Sequence, residues 1–312
     1  LKVDPDMALT FLDFVEARHQ VWEKRQLGEP QPWTDDPIVA TRKFTNVFRV
    51  LDYGSQFVLT DLIEEGLDPK DQLMRLFLYR HTGRVEVWEF LHLMMGRYPK
   101  IGDLVDVLDL FKQYRGDAHV RTRNVDPKNP GRKTQTDFKR SVFTSAYLVF
   151  PQSQIPGTDK LESIVDLTKR LFLHGTVAQE FLAAGTQAER FQVLRQNKGV
   201  ADFMSMQILT DWGYTTKFRE DDFVVAGPGA RKGAAHLDPT AKAEDVISWA
   251  VKAIRSSPTA PRLEGRLPSY MDVQNCLCEF SKYVRYMSKP SPEKLYAPAH
   301  PGLASFVLPA NW

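Results

Sequence analysis

The sequence predicts a mainly α-helical protein with a helix-hairpin-helix unit, and three observations carry that expectation. Apolar residues recur at helical spacing through most of the chain. There is no strand–helix alternation and no internal repeat, which argues against a parallel α/β enzyme. Near residue 199 two helical runs are separated by a short glycine turn.

Taken in order, the run Ala8 to Lys24 carries Leu9, Leu12, Phe14, Val15 and Trp22 in a helical rhythm. After the break at Pro30 and Pro32, Thr34 or Asp35 is placed to cap a helix whose first turn holds Pro37. That helix is expected to run through Ile38, Phe44, Val47 and Phe48 to Leu51. Further helices are expected over Asp71 to Tyr79, Val85 to Met95 and Ile101 to Tyr114. Between Arg115 and Arg140 the character changes: Arg121, Arg123, Lys128, Arg132, Lys133, Lys139 and Arg140 cluster with Asn, Pro and Gly, which reads as a long basic loop or arm. Helices resume at Leu161 to Leu173, Val177 to Ala184, Ala188 to Gln196 and Ala201 to Thr210, and an irregular tail covers Pro290 to Trp312.

Composition sets limits on function. With 41 Lys and Arg against 39 Asp and Glu, the formal charge is only +2, so DNA contact would have to come from a local basic surface. Cys276 and Cys278 are poorly spaced for a mutual disulfide and supply too few ligands for a zinc site. Two reduced thiols in an intracellular protein are expected, with no metal and no cofactor. No stretch of about 18 apolar residues and no signal pattern is present, so neither a membrane span nor secretion is expected.

Four segments could carry chemistry. In Asn197 to Tyr214 the hairpin would offer backbone N–H groups at a helix N-terminus to a DNA phosphate, with Lys198 adding charge beside Gly199; an ordinary helix pair fits the same pattern. In Asp221 to Leu237, Gly227, Gly229 and Gly233 would let the backbone approach a ligand while Arg231 and Lys232 bring positive charge, a combination suited to phosphate or pyrophosphate. No Lys-Ser/Thr pair follows, so it is not a Walker A loop, and a flexible surface turn reads equally well. On a helix, Arg42, Asn46 and Arg49 would share one face, with Asp52 placed to pair with Arg49; a solvated face fits as well. In Asp272 to Tyr286, Asn275, Glu279 and Lys282 line one helix edge, as a site or as a surface ion pair.

In sequence order, PWTDDPIVATRKFTNVFRVLD, LFLYRHTGRVEVWE, GVADFMSMQILTDWGY, DDFVVAGPGARKG, QNCLCEFSKYVR and LPANW resemble the alpha-glutamyl/putrescinyl thymine pyrophosphorylase family of phage DNA hypermodification. The helical domain of that family also accompanies the 5-hydroxymethyluracil DNA kinases. The resemblance spans nearly the whole chain, and GPGARKG and CEFSKY are its most specific parts. It implies a DNA-glycosylase-like helix-hairpin-helix scaffold: an N-terminal helical part over 1–115, a basic loop or insertion over 116–160, and a hairpin and glycine-rich part over 161–312. The implied substrate is double-stranded DNA bearing 5-(pyrophosphoryloxymethyl)uracil, from which an amino acid or polyamine displaces pyrophosphate. The reacting carbon would be reached either on a base turned out of the stack or on the 5-substituent where it already projects into the major groove.

On this reading Gly227, Gly229, Arg231 and Lys232 cradle the pyrophosphate, and Arg42, Asn46, Arg49 and Lys282 complete the pocket. Asp222, Asp211 or Glu279 takes the amine's proton. Asp222 is the nearest counterpart of the catalytic Asp of glycosylases, with Asp221 beside it. DNA contacts fall to Lys198, Gly199, Arg121, Arg123, Arg132 and Lys133. The kinase relatives' P-loop is missing from these residues. A glycosylase or glycosyltransferase acting on hydroxymethyluracil, or a non-catalytic DNA-binding module, remain the alternatives.

Overall fold

Asp4, Asp36 and Asp68 each precede a proline, and each carboxylate accepts N–H groups of the turn that follows. An Asp cap satisfies donors that a helix start leaves open, and proline at the next position has no N–H to lose. These caps open α1 (Pro5–Gln26), α2 (Pro37–Thr41) and, after the short α3 (Tyr53–Phe57), α4 (Pro69–Thr82). The helices α5 (Val85–Met95), α6 (Val107–Arg115), α7 (Lys160–Thr168), α8 (Val177–Ala183) and α9 (Gln187–Arg195) follow. The chain then continues through α10 (Asp202–Gly213), α11 (Pro228–Leu237), α12 (Ala243–Ser256) and α13 (Tyr270–Met287).

A computed structural model describes residues 1–116, 124–125, 133–134, 140–144, 159–216, 223–290, 292, 294–298, 305–310 and 312. Among them the architecture is mainly α, and β-structure amounts to a two-residue antiparallel ladder, Asn124–Val125 with Lys133–Thr134, and an isolated bridge, Leu263 with Arg266. Arg121, Arg123, Arg132 and Asp222 lie outside the described residues, and of Lys133 only the backbone is described. Among the described residues no helix is long and apolar enough to cross a membrane.

The chain divides into two compact units, residues 1–60 with 205–312, and residues 61–204. In the first, α1 and α11 pack on α13. Phe11 meets Phe280 edge-on at 5.2 Å, and Phe14 lies 4.6 Å from Tyr283. In the second, α4 is buried along most of its length around Arg75, whose guanidinium donates to the Leu62 carbonyl at 3.1 Å and pairs with Glu64 at 3.0 Å. There Trp88 donates its indole N–H to the Thr82 hydroxyl at 2.9 Å.

Two expected elements differ. The helix expected from Pro37 to Leu51 stops at Thr41, with Asp36 rather than Thr34 or Asp35 as its cap. The stretch GPGARKG is no glycine-rich loop: Pro228 starts α11 directly after Gly227.

Candidate functional site

The hairpin lies within the second unit as far as residue 204. Gly199 sits at φ +102°, a region that L side chains rarely adopt, and this allows the tight reversal after α9. The Val200 N–H returns to the Asn197 carbonyl, and the Asn197 amide donates to the Val193 carbonyl at 2.6 Å. Arg170 holds the Lys198 carbonyl at 2.7 Å, Arg195 pairs with Asp202, and the Lys198 side chain is exposed. The turn is thus pinned from behind, and its outer edge presents a cation.

The glycines expected to cradle pyrophosphate serve another purpose. A Cβ on Gly229 would lie 2.3 Å from Cys278 Sγ, and one on Gly233 would lie 1.9 Å from the Leu277 carbonyl oxygen. Glycine at these two positions, one helical turn apart, lets the α11 backbone approach the Cys278 side chain and the Leu277 backbone of α13. Gly227 precedes the first turn as the N-cap, and the neighbouring Ala226 N–H is taken by the Glu244 carboxylate at 3.0 Å. A carboxylate there disfavours a diphosphate at that helix start. Arg231 and Lys232 are exposed on the helix. Gly229 and, outside the expected cradle, Gly233 therefore serve helix packing, while Gly227 caps α11 and Arg231 and Lys232 point to solvent from it.

Arg42, Asn46 and Arg49 do not share a helix face, because the chain leaves the helix at Arg42 and runs extended. Arg42 lays its guanidinium 4.5 Å from the centre of the Tyr286 ring and donates to the Pro290 carbonyl. Asn46 bonds the Leu51 carbonyl at 2.9 Å. Arg49 turns inward. Its guanidinium reaches Asp211 and Gln207 at 3.0 Å and the Tyr214 hydroxyl at 3.2 Å, while its N–H donates to Asp272 at 2.7 Å. Arg49 and Asp211 are both buried, so two residues expected to act on substrate instead form an internal ion pair. Burial pushes the Asp272 carboxyl above the usual carboxylate range against the N–H groups that favour its charged form.

The strongest cluster that remains open to solvent gathers around Thr45 and Asn46. The Thr45 N–H donates to Glu279 at 3.1 Å and the Asn46 N–H to Asp52 at 3.2 Å. Both carbonyls of this pair accept from Arg18, at 2.7 Å for Thr45 and 2.8 Å for Asn46. Lys282 pairs with Glu279 at 2.8 Å, one turn along α13, and also stands 5.0 Å from the Phe44 ring centre. The extended segment is thereby clamped by charged side chains, and this explains why it does not continue α2. Glu279 and Asp52 are partly exposed at its edge. Burial raises the Asp52 carboxyl to about 6, opposed by the Asn46 N–H and Arg49 and reinforced by the Glu279 charge. A carboxylate poised near neutrality beside a second carboxylate, itself paired with an ammonium, can exchange protons with a bound group.

Asp52 appeared in the sequence only as a partner for Arg49, and Arg18 was missed. A signal for Arg18 existed: Phe11, Phe14, Val15 and Arg18 follow the buried face of α1, so an arginine occupies a core position. Among the described residues, no group of three or more His, Cys, Asp or Glu could hold a metal ion.

The family described as "5-hmdU DNA kinase, helical domain" matches residues 6–292, nearly the whole chain. The chain belongs to this family. A curated relative of the helical-domain family, the 5-hmdU DNA kinase of Bacillus phage SP10, is 25% identical over 262 residues. That alignment covers 76% of this chain and 38% of the relative, so the chain spans well under half the length of the relative it matches. No solved structure matches.

Proposed function

We propose that this helical domain works in thymine hypermodification, engaging DNA that carries 5-hydroxymethyluracil or its pyrophosphorylated derivative and supporting group transfer at the 5-methylene carbon. The observation that carries the reading is the family match from residue 6 to residue 292. No G-x-x-x-x-G-K-[ST] run occurs in the 312 residues, so phosphate transfer from a nucleotide is not the reaction assigned to them. The hairpin at Lys198 and Gly199 supplies a cation and a tight backbone turn of the kind that meets a phosphate in helix-hairpin-helix proteins.

In the proposed reaction the methylene C–O bond to pyrophosphate breaks and a C–N bond to an amino acid or polyamine forms. The nitrogen's proton passes to a carboxylate. Asp52 and Glu279 are the groups assigned to that step, with Lys282 beside them to offset charge on the leaving group. Asp211 is withdrawn from the role by its pairing with Arg49.

The test incubates the protein with duplex DNA containing thymine, 5-hydroxymethyluracil or 5-(pyrophosphoryloxymethyl)uracil, with pooled amino acids and polyamines, followed by nucleoside digestion and mass spectrometry. An amine adduct with release of pyrophosphate is expected on the pyrophosphorylated base. Free modified base would identify a glycosylase instead. Burial of Asp211 and of the α11 glycines in packing also favours a second reading, a binding module without catalysis. Selective binding of modified DNA with no product would establish that alternative. Unaltered DNA together with no preference for the modified base overturns both.

A further inference from the structure

The first unit carries a groove of about 710 Å³ lined by Lys2, Lys242, Lys252, Trp249, Thr240 and Asp245, among others. Four of these residues come from α12 and its cap. Lys242, Asp245, Trp249 and Lys252 follow one another at spacings of three, four and three, so they share one helix face. That face leaves the lysines exposed and the indole half-buried. Asp238, on the groove's floor, is already satisfied: it accepts the Lys2 N–H at 2.6 Å and the Thr240 N–H and hydroxyl at 2.9 and 2.7 Å. These bonds, the Thr240 hydroxyl foremost, hold its carboxyl down at about 2. Its charge is spent on the loop, which leaves Asp245 as the exposed carboxylate among three lysines in the lining.

On this face the Trp249 ring stands between Lys242 and Lys252, with the Asp245 carboxylate one turn before the ring. A ring with a cation to either side matches a nucleotide, which offers an aromatic face with a phosphate on either side. We infer that this groove holds an unpaired stretch of DNA, with a base stacked on Trp249 and the flanking phosphates neutralised by Lys242 and Lys252. Stacking needs a base released from its pair, because in a duplex both faces are already covered. The groove therefore favours a single strand, or a locally opened duplex, over closed duplex DNA. The inference rests on the reading that this domain engages DNA, and it adds a contact surface that neither the hairpin nor the Asp52 and Glu279 cluster supplies.

The test measures fluorescence anisotropy of the whole chain with a labelled oligothymidine, with the matching closed duplex, and with that duplex containing 5-hydroxymethyluracil, across a salt series. Trp249→Ala is expected to weaken single-strand binding about tenfold and closed-duplex binding less than about twofold, while Trp249→Phe keeps most of the affinity. The double variant K242E/K252E is expected to weaken single-strand binding at least tenfold and to flatten its salt slope by about 1.4, two phosphate contacts at about 0.7 each. The lysines are exposed and the indole is half-buried, so circular dichroism is expected to match the wild type and selects the folded variants.

Folded variants whose single-strand affinity and salt slope equal those of the wild type overturn the inference. If the wild type binds and modifies DNA while the variants are unaffected, the groove assignment alone fails. If the variants lose single-strand binding but the wild type neither prefers nor alters hydroxymethyluracil DNA, the groove stands and the proposed function fails.

Discussion

Two charged clusters lie on the same short segment of the first unit and have opposite character. At Arg49 the guanidinium and the Asp211 carboxylate are sealed from water and closed off by Gln207 and Tyr214. Three to four residues earlier and three later, Thr45, Asn46 and Asp52 form an edge with Glu279 and Lys282 that solvent reaches. The residue types are alike, and burial separates their uses. A sealed pair fixes the geometry of what surrounds it, because moving either charge leaves the other uncompensated. A half-exposed carboxylate raised toward neutrality can gain and lose a proton as a substrate arrives.

The largest expected effect lies on the sealed side. Arg49→Ala should destabilise the protein by about 3–5 kcal/mol, since it strands a buried Asp211, and R49M/D211L should recover most of that loss. Urea unfolding of the single and double variants measures both. If Arg49→Ala unfolds like the wild type, the pair is not sealed.

Next comes the helix contact that replaced the expected loop. Gly233→Ala would ordinarily favour a helix by about 1 kcal/mol. Here the new methyl meets the Leu277 carbonyl, so a net loss of about 1–3 kcal/mol or more is expected in thermal melts. Gly229→Ala meets the Cys278 thiol, a side chain, so Cys278→Ala should restore part of its loss. A flexible ligand loop would tolerate all three changes.

On the open side the expected effects on stability are small and depend on pH. The folded Asp52 carboxyl titrates near 6, above its unfolded value of 3.8, so the folded state holds the proton more tightly. Its favourable contribution is therefore present at about pH 4 and is lost as pH rises through 6. Partial exposure limits the span to about 1–2 kcal/mol. Unfolding free energies of Asp52→Asn and the wild type should diverge in the variant's favour between pH 4 and 6, then run parallel. A constant difference across that range would show that Asp52 titrates normally.

Helical content was legible because the apolar rhythm of α1, α4 and α5 is a local feature, whereas the Asp-Pro starts at Pro5 and Pro69 were not read. The end of α2 was not, because nothing between Arg42 and Val47 forbids a helix. What stops it are Arg18, Asp52 and Glu279, which claim the backbone groups of Thr45 and Asn46 and come from distant or later parts of the chain. The glycines of α11 misled for a related reason. Glycine permits close approach by any neighbour, and only the fold shows that the neighbour is α13 rather than a phosphate. The ion pair of Glu279 with Lys282 was legible from their spacing. Asp211 looked the same in sequence, and the difference between them is burial, which spacing does not encode.

The most direct test compares amine-adduct formation on DNA bearing 5-(pyrophosphoryloxymethyl)uracil by the wild type, Glu279→Gln and the double variant R231A/K232A. Loss of product by about 10²-fold or more in Glu279→Gln, with the double variant within about twofold of the wild type, is the expected result. Full activity in Glu279→Gln with loss in R231A/K232A would return the chemistry to the start of α11 and contradict the account.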